Sequence, residues 1–200
     1  MTFVLGLTGS IGMGKSTTAQ MLRARGLPVW DADAAVHRLY APGGAAVAPV
    51  AAAFPDALAG GGIDRGRLRD ALRDDPGALA RLEAIVHPLV AADRAAFVDT
   101  ARAQGAPVAA VDVPLLFETG ADAGVDGVAV VSTEARTQAA RVLARPGMTA
   151  ETLALILSRQ MPDAEKRARA RWIIPTDDLP GAERAVDALL AEIAAEATDA

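Results

Sequence analysis

The chain has 200 residues, 52% of them hydrophobic, and a formal net charge of -5. That length suits one α/β domain with room for a small insertion, and the acidic balance leaves no basic footprint for nucleic acid. The absence of cysteine excludes disulfides and thiol chemistry, and no apolar run is long enough to span a bilayer.

The first residues pass directly into the apolar run Phe3 to Leu7, with no basic n-region or separate apolar h-region, so a cytoplasmic protein is the expectation. The run is short and bounded by glycine, as suits a fully buried strand. Next comes Gly9-Ser10-Ile11-Gly12-Met13-Gly14-Lys15-Ser16, which reads G-x-x-x-x-G-K-S, the phosphate-binding loop pattern. From Thr17 to Arg25 the residues Ala19, Met21, Leu22 and Ala24, with no internal Gly or Pro, predict a helix. A strand turning through glycines into a helix N-terminus aims backbone N–H groups and the positive end of the helix dipole at one anion. Gly12 and Gly14 allow backbone conformations that a side chain would hinder. Lys15 supplies a cation for the β- and γ-phosphates, and the Ser16 hydroxyl is placed to ligate Mg²⁺. The only other lysine is Lys166, so a chain that otherwise uses Arg keeps a compact point charge here. The pattern predicts nucleotide binding.

A second strand is expected at Leu27 to Trp30, after a helix stop at Gly26. Asp31-Ala32-Asp33 then leads into an apolar-periodic segment, Ala34 to Tyr40, closed by Pro42-Gly43-Gly44. The two acids share a face if the stretch stays extended, and Asp33 also suits a helix N-cap. Residues 45 to 105 read as mainly helical, interrupted at Phe54-Pro55 and Gly60-Gly61-Gly62. Within them Val86-His87-Pro88 fits a helix boundary, because the residue before Pro avoids the α region. The third strand, Val108 to Val113, is apolar except for Asp112, as in a central parallel strand. The fourth is Gly127 to Val131, followed by a helix from Glu134 to Ala144, a break at Pro146-Gly147 and a helix from Ala150 to Arg159. Arg141 and Arg145 are four apart, hence on one helical face. That hairpin is either an exposed arginine face or a lid closing over phosphates. A fifth strand, Trp172 to Ile174, and a helix from Gly181 to Ala197 end the chain.

Strands separated by helices imply a parallel sheet covered on both faces, with the ligand at the carboxyl ends of the strands. That edge gathers Thr8 to Ser16, Asp31, Asp33, Asp112 and Ser132. A GTPase would carry an N-K-x-D element, but the sequence has no asparagine. The D-x-x-G matches at Asp74 to Gly77 and Asp178 to Gly181 lie in Pro-containing loops and read as accidental. A small-molecule kinase is the best class, with Asp33 as base or hydroxyl-orienting carboxylate and Arg136, Arg141 and Arg145 as candidate cations. A kinase for another nucleoside-like hydroxyl acceptor, or a nucleotide-binding regulator with no transfer activity, are the alternatives.

Several segments together resemble one family, the dephospho-coenzyme A kinases. They are Leu7 to Thr17, Asp31-Ala32-Asp33, Ile63-Asp64-Arg65, Leu82-Glu83-Ala84-Ile85-Val86-His87-Pro88 and Asp112-Val113-Pro114-Leu115-Leu116-Phe117-Glu118. Gln138, Arg141, Arg145 and Gln160 fall at the spacing of that family's lid. The resemblance implies transfer of the ATP γ-phosphoryl group to the ribose 3′-hydroxyl of dephospho-coenzyme A, with Mg²⁺. It implies a three-layer α/β fold of the P-loop NTPase, nucleoside-kinase-like type, with a five-stranded parallel sheet. The core would be residues 1–34, 106–133 and 167–200, with an acceptor-binding helical insertion at about 35–105 and a lid at about 134–166. Carried onto matching positions, Asp33, Lys15 and Arg141 resemble catalytic residues. Gly9 to Thr17, with Arg141 and Arg145, resemble the ATP site, and Ser16 the metal ligand. Thr8, Asp33, Arg65, His87, Pro88, Leu115, Leu116 and Glu118 resemble the acceptor site. A monomer with no membrane or nucleic-acid partner is expected. Two departures stand out: Ala170-Arg171 precedes the last strand where the family often has Ala-Asp, and Thr176 follows it where Asn is common.

Overall fold

The computed structural model describes residues 1–73 and 75–199, with side chains up to residue 197. Asp74, the first residue of one of the two D-x-x-G matches, lies outside the described residues. The elements are, in chain order, β1 (Phe3–Thr8), α1 (Lys15–Ala24), β2 (Val29–Asp31), α2 (Ala32–Tyr40), α3 (Val47–Ala53), β3 (Leu58–Ala59), β4 (Gly62–Ile63), α4 (Arg65–Arg73) and α5 (Ala78–Ala103). They continue with β5 (Val108–Asp112), β6 (Gly127–Ser132), α6 (Ala135–Leu143), α7 (Ala150–Ser158), α8 (Asp163–Arg169), β7 (Trp172–Pro175) and α9 (Leu179–Asp199). They form two compact units, residues 1–30 with 100–200, and residues 31–99.

The first unit is built on a five-stranded parallel sheet of order β2-β5-β1-β6-β7. β1 lies at its centre with β5 on one side, Leu7 opposite Asp112, and β6 on the other, Thr8 opposite Val130. This central place explains why β1, β5 and β6 are almost continuously apolar: both of their faces are covered. The core on one face joins Leu5, Leu7, Met21, Leu22, Val131, Ile174, Val186 and Leu189, drawn from the sheet, α1 and α9. A smaller cluster of Leu116, Phe117, Val128 and Val130 packs the loop after β5 against β6.

The second unit packs helices α2 to α5 around Leu39, Tyr40, Val50, Phe54, Ile63, Leu68, Leu82 and Val86. Three features here differ from the sequence expectation. Asp31, not Asp33, caps α2, accepting the Ala34 N–H at 2.8 Å from an extended backbone; standing two positions before Asp33, it has its carboxylate within reach of the N3 amide. The glycine run that reads as a helix interruption is a tight hairpin, Leu58 opposite Ile63 and Ala59 opposite Gly62. Pro88 does not end a helix but lies inside the 26-residue α5. Proline forfeits one backbone donor there, and burial of Leu82 and Val86 in the preceding turns holds the helix through that point.

Candidate functional site

The phosphate loop leaves β1 and enters α1, whose N-cap is Gly14. Gly12 and Gly14 have φ of 78° and 90°, the left-handed region that disfavours side chains. Space forbids a side chain as well, since a Cβ on Gly12 would stand 2.5 Å from the Val142 side chain. The loop is held from outside on several sides. The Gln138 side-chain amide donates to the Ile11 carbonyl at 2.8 Å, and the Ile11 N–H donates to the Gln160 side-chain oxygen Oε1 at 3.1 Å. The Thr176 hydroxyl donates to the Met13 carbonyl at 2.7 Å, and the Thr133 N–H meets the Met13 sulfur at 3.2 Å. A loop fixed in this way presents its amides to an anion without first having to order itself.

The Lys15 ammonium pairs with the Asp112 carboxylate at the carboxyl end of β5. Asp112 is 1% exposed, so the sheet holds a buried anion directly beneath the loop's cation. Ser16 lies exposed in the first turn of α1. Among the described residues no group of three or more His, Cys, Asp or Glu is gathered to hold a metal alone. Mg²⁺, however, commonly takes one or two protein oxygens and completes its shell with water and phosphate. The Ser16 hydroxyl and the Asp112 carboxylate are oxygen donors of that kind.

Arg141 on α6 directs its guanidinium to Thr176, donating to the carbonyl at 2.6 Å and to the hydroxyl at 3.4 Å. Arg145 does not continue the same helical face, because α6 ends at Leu143 and Ala144 is its C-cap; Arg145 is exposed in the turn beyond. Next to Thr176, the Asp177 carboxyl is held below its ordinary range, first by the hydrogen bond from the Thr133 hydroxyl at 2.6 Å and also by the Arg141 charge.

The loop after β5 carries three of the acceptor-site candidates. Leu115 is 39% exposed, whereas Leu116 is fully buried in the core. Thr8, also fully buried, donates from its hydroxyl to the Pro114 carbonyl at 3.1 Å. Glu118 accepts from the Met161 N–H at 2.8 Å and pairs with Lys166 at 2.9 Å. Burial pushes the Glu118 carboxyl up, but those two partners outweigh it and hold it below the ordinary range.

The remaining candidates belong to the second unit. Asp33 is exposed in the first turn of α2, clear of the capping role that Asp31 fills. The Arg65 guanidinium lies 5.9 Å from the centre of the Tyr40 ring, while Asp64 caps α4 through the Arg67 N–H at 2.9 Å. His87 and Pro88 are exposed neighbours on α5. Sequence reasoning gave no structural role to Thr133, Thr176 or Lys166. Lys166 carries a signal, as the second of two lysines in an arginine-rich chain; Thr176 is marked only as a departure from the family pattern, and Thr133 carries no signal.

A family model described as dephospho-CoA kinase matches residues 3–179. The chain belongs to the dephospho-CoA kinase family. A dephospho-CoA kinase of Cereibacter sphaeroides is 59% identical over 191 residues, covering 96% of this chain and 95% of that protein. A crystal structure from Thermus thermophilus matches with a TM-score of 0.80 and 36% identity, covering 96% of this chain and 97% of that one. A dephospho-CoA kinase from Campylobacter jejuni, 21% identical, shares the fold with a TM-score of 0.64, covering 95% of this chain and 96% of that one. As a dephospho-CoA kinase family member, the chain is a phosphotransferase that uses ATP. No described helix is long and apolar enough to cross a membrane.

Proposed function

We propose that the chain performs its family's reaction at the Gly9–Ser16 loop, with Asp33 as the residue that orients and deprotonates the acceptor hydroxyl. The reaction moves the γ-phosphoryl group of ATP to the ribose 3′-hydroxyl of dephospho-CoA. The new bond joins the 3′-oxygen to the γ-phosphorus, ADP leaves, and the hydroxyl proton passes to Asp33. The observation that carries the reading is a pre-shaped loop, with left-handed Gly12 and Gly14 leading into α1, inside a family match of nearly the whole chain.

Catalysis of this kind is mainly positioning and electrostatic stabilisation. The amides of Gly12 and of Gly14 to Ser16, at the N-terminus of α1, bind phosphate oxygens, and the Lys15 ammonium turns from Asp112 to them. Ser16 would hold Mg²⁺, with Asp112 as a second oxygen donor, and the ion would supply further positive charge to the phosphates. Arg141 and Arg145 supply guanidinium groups from α6 and the turn after it, and closure of a lid at about residues 134–166 excludes water. Residues 31–99 serve as the acceptor-binding insertion through Arg65, His87 and Pro88, and in the first unit Thr8, Leu115, Leu116 and Glu118 are the residues assigned to the acceptor. A monomer in the cytoplasm completes the reading.

The test is mass spectrometry of dephospho-CoA incubated with the protein, ATP and Mg²⁺. The expected product gains one phosphoryl group and requires Lys15, Asp33 and the metal. ADP released with the acceptor unmodified would reject the assigned acceptor. Light scattering checks the monomer.

A further inference from the structure

Lys166 is the largest fully buried side chain in the described chain, and it is a cation. Its ammonium donates to the Glu118 carboxylate at 2.9 Å and to the Pro114 carbonyl at 3.3 Å. The same carboxylate oxygen accepts the Met161 N–H, and the same carbonyl accepts the Thr8 hydroxyl. The other oxygen of Glu118 is buried with no hydrogen-bond partner in the structure. A buried ion pair is weak evidence for stability, because apolar residues of equal volume often do as well. What an apolar residue lacks is direction. One ammonium here ties the first and last residues of the turn Pro114–Glu118 together. Through its partners it links that turn to Thr8, which precedes the phosphate loop, and to Met161, which follows the Gln160 that grips Ile11.

We infer that Lys166 is a positioning residue for the acceptor: from α8 it fixes the turn that presents Leu115 and Glu118, in register with the phosphate loop. This rests on the reading that the turn contacts dephospho-CoA. Loss of Lys166 therefore weakens acceptor binding while leaving the ATP site, held by Gln138, Gln160 and Thr176, as it is.

The test measures melting temperature and steady-state kinetics for Lys166→Met, Glu118→Gln, their double variant and Leu115→Ala. Lys166→Met strands a buried carboxylate and is expected to melt lower. Adding Glu118→Gln removes that charge and is expected to restore melting, while KM for dephospho-CoA stays about tenfold raised and KM for ATP stays within about twofold. Recovery of the acceptor KM along with the melting temperature overturns the inference and leaves the pair purely structural. If neither Lys166 variant folds, Lys166→Arg, which keeps the charge but not the reach of the ammonium, decides: the expected result is an acceptor KM about threefold up with ATP unchanged, and wild-type values for both overturn the inference. Leu115→Ala isolates the underlying reading. No change in acceptor KM there removes the turn from the acceptor site and the inference with it; a rise there without one in the double variant overturns the Lys166 role alone.

Discussion

Lys15→Ala is expected to do two separable things. The ammonium it removes pairs with Asp112, a carboxylate 1% exposed at the end of a central strand. Removing one partner of a buried pair typically costs about 3–5 kcal/mol, because the remaining charge loses its compensation. Asp112 is not left without another interaction, so the lower end, about 3 kcal/mol, applies here. For a chain of this length each kcal/mol moves Tm by about 2–4 °C, which gives a drop of roughly 6–12 °C. Turnover falls separately, by about 10²–10³-fold or more, since a charge aimed at the developing phosphoryl anion is gone. Calorimetry of Lys15→Ala and of Lys15→Ala/Asp112→Asn, beside the phosphorylation assay, resolves the two. The double variant regains most of the lost Tm and none of the activity. A single variant that melts within about 2 °C of wild type, or a double variant no more stable than the single, refutes the claim that the loop's cation also stabilises the sheet edge.

Asp33→Asn is expected to cut turnover by about 10²–10⁴-fold with Tm and ATP affinity unchanged, as equilibrium binding and calorimetry will tell. Its neighbour behaves oppositely: Asp31→Ala removes the α2 cap and costs about 1 kcal/mol of stability, read as a shift in the denaturant midpoint. Thr176→Val keeps the shape but loses the hydroxyl donated to the Met13 carbonyl; a KM for ATP raised about fivefold, with the acceptor KM unchanged, is the expected pattern. In acid, Glu118 gives a defined sign. Its carboxyl is held below the ordinary range when folded, so its contribution is present above the unfolded value and lost as pH falls through the folded one. Melting curves taken from about pH 5 downward should therefore fall more steeply for wild type than for Glu118→Gln; parallel curves would remove Glu118 from the acid response.

The parts of the site that the sequence disclosed are those whose chemistry is local. Strand, glycine turn and helix follow one another within a few residues, and backbone geometry at Gly12 and Gly14 constrains residue choice so tightly that the pattern is visible without a fold. The exposed Asp33 is likewise within reach, but the cap is not: whether Asp31 or Asp33 caps α2 depends on where β2 stops and α2 starts, a difference of two residues. The grip on the loop is another matter. Gln138, Gln160 and Thr176 reach Ile11 and Met13 across separations of 127, 149 and 163 positions; the family resemblance picks out these positions, but nothing in their own neighbourhoods says that they grip the loop. Helix α8 was missed for a related reason: at seven residues, with Lys166 as its one buried residue, it shows no apolar period to read. Its burial comes from Glu118 and Pro114, distant in sequence. A loop that must stay rigid while its ligand comes and goes is held by such long-range polar contacts, and those from Gln138 and Thr176 go to its carbonyls, which an anion does not use. The residues that bind are thus legible in one short stretch, and those that keep the stretch in shape are legible only once the chain is folded.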